Sequence, residues 1–422
     1  MAESKKDLED EIPVHVEQTV GAQQNHDDVF GELSDDGPNF RNVGFVGTIV
    51  LMMKSQIGLG VLAIPSAFDT LGMVPGIICL LVMAVITTWS GASAILSLSI
   101  GMNAVSNHAT CTAVFAAVAA IVGFGFSSIR TLGRITWLAW VGLPCILTAV
   151  TIVTIAVGIQ ERPAAAPTTD GPWVSDWKIV GNPSFAEAIA AVSNLLFAFS
   201  GTPGFFSIVS EMRNPERYPA AMASCQAVVT VVYAIIGGVI YYYCGSYVSS
   251  PALGSAGGVI KIISYGFALP GLLGTMTIVT HIPAKFIFVH LLRGSKHLSS
   301  NTPTHWISWL GCTFGVTVIA WIIASTIPVF KALVSLIGAL LGPVMCIQPM
   351  GAMWLYDNWE KGKGQKKTNG WIIGTIWSVV LIVLGTFLMV AGTYGSVLSI
   401  VSAYTESGGS AAFSCADNSN ST

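Results

Sequence analysis

Long apolar runs with few charges follow one another from residue 43 to residue 395 of this chain. A helix needs roughly 20 apolar residues to cross the hydrocarbon core of a bilayer. Of the 422 residues, 53% are hydrophobic and only 10% are charged, whereas soluble domains carry about 25% charged residues. The chain is therefore predicted to be an all-α polytopic membrane protein. It shows no nucleophile–base set, nucleotide loop or metal-ligand cluster, so no enzymatic activity and no nucleic-acid partner are expected.

Ten membrane spans are predicted, near 43–65, 73–100, 110–128, 133–158, 186–210, 222–244, 262–290, 304–326, 329–355 and 371–395. The second apolar run can be drawn from Gly72 to about Ser106 without a charge, which is long for one helix and short for two. Loops rich in Lys and Arg favour the cytoplasmic side. Four short loops are of this kind, namely those with Arg130 and Arg134, Arg213 and Arg217, Arg293 and Lys296, and Lys361 to Lys367. They alternate with loops poor in basic residues, which places the loop at 101–109 and the C-terminal tail outside.

Residues 1–42 hold 11 of the 22 acidic residues and little apolar sequence. Such a segment cannot bury enough apolar surface to fold alone and is predicted to be disordered. The chain is thus predicted to divide into an acidic tail (1–42), a transmembrane domain (43–404) and a disordered C-terminal tail (405–422). Counting ten spans back from the C-terminus puts the acidic tail outside, whereas one missing span puts it in the cytoplasm.

Two of the spans are interrupted by residues that disfavour a helix. The first span reads VLMMKSQIGLGVLAIP, with Gly58 and Gly60 at its middle, and the fifth reads LLFAFSGTPGFFSIVSEM, with Gly201, Pro203 and Gly204. Glycine tolerates non-helical angles and proline lacks a backbone donor. Paired interruptions of this kind indicate the substrate site of a transporter. The alternative is that these glycines are small residues that let helices pack closely.

A free amino acid would suit both interruptions. Backbone N–H groups that open a half-helix attract a carboxylate, and the carbonyls that close one attract an ammonium group. The candidate substrate-binding residues are Ser55, Gln56, Ile57, Gly58, Leu59 and Gly60 in the first span, and Phe197, Ala198, Phe199, Ser200, Gly201 and Thr202 in the fifth.

Six longer segments of the chain can be compared with known families: MMKSQIGLGVLAIPSAF, FAFSGTPGFFSIVSEMRNP, GRITWLAWVGLPCILT, CGSYVSSPALGSAG, THIPAKFIFVHLLRGSKHL and GALLGPVMCIQPMGAMWLYDNW. They resemble the fungal neutral amino acid permeases of the methyltryptophan-resistance type, within the amino acid/auxin permease family. The resemblance runs from about Asn42 to Tyr404. It implies a LeuT-like inverted-repeat bundle of eleven helices, a cytoplasmic N-terminus and proton-coupled uptake.

The chain departs from that family at one junction. Ser90 runs almost directly into Gly91, where the family has a cytoplasmic loop and a complete third helix. Restoring this segment returns the acidic tail to the cytoplasm and explains the over-long second run. Two explanations stay open: an exon lost from the gene prediction, or a real deletion that leaves an inactive permease.

Five polar residues are candidates for ion coupling. Lys54 and His281 lie within predicted spans, where ionisable residues mark function by default. Lys54 is alternatively a support for unwound carbonyls or a snorkelling side chain, and His281 a simple hydrogen-bonded residue. Glu211 is either a proton carrier or a capping and ion-pair residue near Arg213. The hydroxyls of Thr277 and Thr280 are placed to line a cation site facing the first interruption.

The eight cysteines lack CxxC or Cys/His spacing and are expected to be small buried side chains. Cys244 and Cys415 are candidates for the oxidising side, and no pairing between them is predicted.

The function expected is proton-coupled uptake of neutral aliphatic or aromatic L-amino acids by a secondary transporter. No cofactor or metal is expected, and sodium coupling is the less favoured choice. The plasma membrane is preferred to the vacuolar membrane, membrane lipids are the other partners, and the oligomeric state is open. The alternatives are a non-transporting amino acid receptor, a vacuolar exporter, an inactive truncated permease and a passive channel or structural membrane protein.

Overall fold

The computed structural model describes residues 26–27, 31–32, 43–57, 93–167, 173–199, 205, 208–292, 295, 297–326, 329–359, 368–406, 413 and 415. Apart from two antiparallel two-residue strands, β1 (His26–Asp27) and β2 (Gly31–Glu32), these residues are mainly helical. Eleven α-helices are described in these ranges: α1 (Phe45–Gln56), α2 (Ser93–Ser106), α3 (Thr112–Ser127), α4 (Leu132–Ile159), α5 (Phe185–Ala198), α6 (Tyr218–Cys244), α7 (Gly258–Leu291), α8 (Pro303–Thr326), α9 (Phe330–Gly342), α10 (Gln348–Trp359) and α11 (Asn369–Glu406). The prediction of an all-α architecture is confirmed.

Among the described residues, five helical segments are long and apolar enough to cross a membrane, namely Leu132–Ile159, Pro215–Tyr247, Gly258–Val289, Pro303–Thr326 and Asn369–Ser402. Each corresponds to one predicted span. The predicted span 329–355 consists of three helical parts: α9, a π-helix at Pro343–Ile347, and α10.

The second predicted span, 73–100, falls mostly outside the described residues. Its end was placed too early, because α2 continues to Ser106 where an outside loop was expected at 101–109. Asn103 is buried and donates to Thr112 Oγ1 at 2.7 Å. His108 completes the turn with a ring nitrogen 3.0 Å from Asn103 Oδ1. Asn103 therefore faces the start of α3.

The described helices pack in two groups. In the larger one, α4 and α7 lie along each other, and α2, α3 and α8 pack around α7, while α1 and α6 pack on α4. In the smaller one, α5, α9 and α11 pack on each other, with α10 against α11. Small residues permit the close approach: a Cβ at Gly338 of α9 would lie 2.1 Å from Ser193 O of α5.

The start of α1 lies beside the end of the predicted fifth span. Val43 N donates to Glu211 O, and Arg213 N donates to Val43 O, both at 2.9 Å, in a parallel bridge to Met212. The start of α1 and the Arg213 loop are therefore at the same end of the bundle. Ten uninterrupted spans would put them at opposite ends, so this geometry agrees with a missing span after α1.

A disulfide joins Cys111, at the start of α3, to Cys415 near the C-terminus, with Cα atoms 4.4 Å apart. The expectation that the cysteines are small buried side chains is wrong for these two, because Cys111 and Cys415 are bonded to each other. Phe413 N donates to Ser325 O at 2.8 Å, and its ring meets Trp321 edge-on. The C-terminal segment thus crosses from α11 of the smaller group to α3 and α8 of the larger one.

Replacing Cys415 by Ser should lower the free energy of unfolding by about 2–4 kcal/mol, because the cross-link closes a long loop. Thermal denaturation of the purified protein in detergent measures this. Cys111→Ser and the double variant should match the single variant, and a reducing agent should shift only the wild type. Alkylation of both thiols without prior reduction would contradict the pairing.

Candidate functional site

The two helices with predicted interruptions both end where the sequence placed the breaks. The last helical residue is Gln56 in α1 and Ala198 in α5, and the next residues, Ile57 and Phe199, leave the helical conformation with ψ values of 87° and 5°. With 12 and 14 residues, these helices are about 18 and 21 Å long, short of the roughly 30 Å of a hydrocarbon core. Half of the candidate set, namely Gly58, Leu59, Gly60, Ser200, Gly201 and Thr202, lies outside the described residues.

The ends of α1 and α5 meet at one side chain, Tyr233 of α6. The hydroxyl of Tyr233 lies 2.7 Å from Gln56 O and 3.0 Å from Ala198 O. Tyr233 is completely buried, and its ring packs edge-on against Phe199 with centroids 5.3 Å apart. The last four carbonyls of a helix have no partner within it, so a buried donor stabilises both helix ends inside the bundle.

A second buried donor, Lys54, hydrogen-bonds the carbonyl of the first residue beyond α1. Lys54 Nζ donates to Ile57 O at 3.3 Å and to the Thr275 hydroxyl of α7. Glycines leave room for this side chain between α4 and α7, since a Cβ at Gly142 would lie 3.0 Å from Lys54 Cε. The arrangement fits the interpretation of Lys54 as a support for unwound carbonyls. A snorkelling side chain would reach the interface, whereas Lys54 is 0% exposed.

The other described candidates around the two helix ends are buried. Ser55 donates back to Met52 O at 2.7 Å, within its own helix. The Gln56 amide is 2% exposed, and neither Nε2 nor Oε1 has a hydrogen-bond partner among the described residues. Phe197 and Phe199 are at most 1% exposed. The site therefore combines helix-end carbonyls, one unpaired amide and apolar rings.

Glu211 lies apart from this centre, at the end of the bundle where α1 begins. Its carboxylate pairs with Lys285 of α7 and accepts hydrogen bonds from Leu132 N at 3.2 Å and Gly133 N at 3.4 Å. It thus caps the N-terminus of α4, where partial positive charge favours an anion. The capping and ion-pair interpretation fits this geometry, with Lys285 as the partner.

His281 precedes Lys285 by one turn of α7 and faces α3 and α8. Its Nδ1 lies 3.3 Å from Ser127 O, its ring meets Trp309 edge-on, and its Nε2 has no partner among the described residues. Thr277 donates to Leu273 O within α7, and Thr280 is buried. The α7 hydroxyl that meets α1 is that of Thr275.

Three residues with a role in this geometry were missed by the sequence analysis: Tyr233, Thr275 and Lys285. Lys285 carried a usable signal, because a charged residue within a span is a functional candidate. Tyr233 and Thr275 carried none, since each is a common residue in an apolar helix.

Comparison with known proteins places this geometry in a family context. The sequence profile of the family described as "Transmembrane amino acid transporter protein" matches residues 41–100 and 92–398. The two matches overlap close to the Ser90–Gly91 junction, where the sequence indicates a missing segment.

Curated fungal relatives align along nearly the whole chain. A protein named "Transmembrane transporter" from Fusarium pseudograminearum is 32% identical, with 91% of this chain and 89% of the relative covered. A protein of the same name from Gibberella moniliformis is 33% identical, with 91% and 90% covered. The "N amino acid transport system protein" of Neurospora crassa is 27% identical, with 91% of each chain covered. The first alignment spans 429 positions, more than the 422 residues present here, so that relative contains residues that this chain lacks.

Among solved structures, a Na⁺-coupled sialic acid symporter in a substrate-bound outward-open state is similar with a TM-score of 0.43 and 12% identity. The match covers 85% of this chain and 92% of the symporter. At that level the similarity supports no conclusion about ions or substrate.

Lys54→Met should loosen the end of α1, because it removes the donor of Ile57 O and keeps the length of the side chain. Amide exchange at Ile57 should become about five- to tenfold faster, as expected for one net hydrogen bond. Hydrogen–deuterium exchange in detergent measures this. Thr275→Val, which leaves the contact between Lys54 and Ile57 in place, is the matched control, and unchanged exchange in Lys54→Met would contradict the support role.

Glu211→Gln and Lys285→Met should each lower the free energy of unfolding by about 3–5 kcal/mol, because each leaves a buried partner uncompensated. The double variant should lose clearly less than the sum of the two. Denaturation of the four proteins in detergent gives this cycle. If the loss of unfolding free energy in the double variant equalled the sum of the two single losses, Glu211 and Lys285 would not be coupled.

Proposed function

Because the chain belongs to the transmembrane amino acid transporter protein family, we propose that it is a secondary active transporter. It takes up neutral L-amino acids, aliphatic or aromatic, together with a proton. The "N amino acid transport system protein" of Neurospora crassa supports amino acids as the transported class.

The observation that carries this proposal is the convergence of two helix ends inside the bundle. Gln56 O and Ala198 O approach the same buried hydroxyl, that of Tyr233. Carbonyls at helix C-termini carry partial negative charge and favour a cation. An amino acid has such a cation in its ammonium group, and non-helical backbone at membrane depth is tolerated where it lines a cavity or is buried in protein.

The side chains beside the helix ends support an amino acid substrate whose own side chain is uncharged. Phe197 and Phe199 are buried there, and aromatic rings offer apolar contact surface to aliphatic or aromatic side chains. Lys54 is engaged with Ile57 and Thr275, which leaves it less available to an acidic substrate.

Coupling to a proton needs a buried group that can change its protonation state. Lys54, Glu211 and His281 are all buried, and Glu211 and His281 both lie near Lys285 on α7. We assign the proton pathway to this end of α7, with Glu211 and His281 as the residues to test and sodium as the less favoured ion.

The orientation rests on two physical arguments. The loops rich in basic residues favour the cytoplasm, and the start of α1 lies at the same end as Arg213. Disulfides persist in oxidising surroundings, so Cys111 and Cys415 belong on the external face. This orientation gives a cytoplasmic acidic tail, and we place the protein in the plasma membrane in preference to the vacuole.

A second candidate is an inactive permease that still binds its substrate. The relative from Fusarium pseudograminearum aligns over more positions than this chain has residues, and the Ser90–Gly91 junction is where the sequence indicates a missing segment. Such a protein would bind an amino acid without moving it.

Purified protein reconstituted in liposomes should take up radiolabelled L-leucine or L-phenylalanine with saturable kinetics. An inward proton gradient should raise the initial rate several-fold, because the proton gradient supplies the driving force, and a protonophore should abolish that increase. Sodium on either side should have no effect. Binding without uptake would identify the inactive permease, and neither binding nor uptake would contradict the proposed function.

A further inference from the structure

The Tyr233 hydroxyl has one proton to donate, but two carbonyl acceptors lie next to it. A phenol has one O–H donor and can also accept, whereas two carbonyl oxygens, Gln56 O and Ala198 O, lie within 3.0 Å of it. At any moment the hydroxyl can donate a full hydrogen bond to only one of them. The other carbonyl and the phenol oxygen can then accept a hydrogen bond from a further donor.

The Gln56 side chain next to this hydroxyl also has unused hydrogen-bonding capacity. The side-chain amide of Gln56, the residue whose carbonyl faces Tyr233, is 2% exposed and has no hydrogen-bond partner among the described residues. A buried amide without partners is destabilising. A bound polar ligand between the two helix ends would relieve it.

We propose that Tyr233 is a substrate-binding residue that completes an ammonium subsite with Gln56 O and Ala198 O. This inference rests on the proposed function and deepens it. The ammonium group of an amino acid brings three N–H donors. Two of them satisfy the carbonyl oxygens and the third donates to the phenol oxygen.

Tyr233 also positions the subsite, because it joins helices of the two packing groups. Gln56 belongs to α1 in the larger group and Ala198 to α5 in the smaller group. The edge-on contact with Phe199 fixes the ring at the end of α5. The hydroxyl therefore keeps both carbonyls within reach of one cation before the substrate arrives.

Tyr233→Phe removes only the hydroxyl, since the ring and its contact with Phe199 remain. The matched control is Tyr241→Phe, which removes another buried hydroxyl from α6. The hydroxyl of Tyr241 accepts from Lys178 N at 3.0 Å in a loop away from the helix ends. Equilibrium binding to the purified full-length protein in detergent compares L-leucine with 4-methylpentanoate, its analogue without the amino group.

Tyr233→Phe should bind L-leucine about tenfold more weakly, as expected for one lost hydrogen bond to a charged group. Its affinity for 4-methylpentanoate should not change, so the preference for the amine shrinks by the same factor. Tyr241→Phe should bind both compounds as the wild type does.

Three results would overturn the inference. Tyr233→Phe binding both compounds like the wild type would show that the hydroxyl has no role. An equal loss of affinity for both compounds would reveal a purely structural role, because the amine would then not be the group recognised. Failure of the wild type to bind L-leucine or L-phenylalanine, together with absent uptake, would remove the proposed function and this inference with it.

Discussion

Two helices that end inside a membrane protein leave backbone carbonyls that need hydrogen-bond donors, and the hydrogen bonds to those carbonyls determine the rest of this site. Tyr233 supplies a hydroxyl to Gln56 O and Ala198 O, and Lys54 supplies an ammonium group to Ile57 O. Because an unsatisfied polar group in an apolar setting costs several kcal/mol, these donors let α1 and α5 stop beside each other. Gly142 leaves space for the Lys54 side chain, because a Cβ there would crowd Lys54 Cε.

The position of the two helix ends was predictable, but the identity of the donors was not. Glycine and proline weaken a helix locally, so the interruptions after Gln56 and Ala198 are visible in the sequence itself. Tyr233 lies in an apolar run on another helix, and nothing in its spacing shows that it faces both breaks. Lys285 was recognisable as a charge within a span, but its partner Glu211 is 74 residues away, and only the packing of α7 brings them together.

The orientation of the chain across the membrane stays a prediction. Basic loops favour one orientation from local composition, whereas the long second apolar run leaves the count of spans ambiguous. The hydrogen bonds between Val43 and the residues around Met212 place the start of α1 at the same end of the bundle as the Arg213 loop. The disulfide of Cys111 and Cys415 escaped prediction because 304 residues separate the two thiols and neither lies in a recognisable spacing motif.

An electron cryomicroscopy structure of the protein with bound L-leucine tests the central claim most directly. The account predicts that helical hydrogen bonding stops at Gln56 and Ala198 and that the substrate ammonium lies within hydrogen-bonding distance of both carbonyl oxygens and of Tyr233. Continuous helices through residues 57–60 and 199–202, or a substrate bound elsewhere in the bundle, would contradict it.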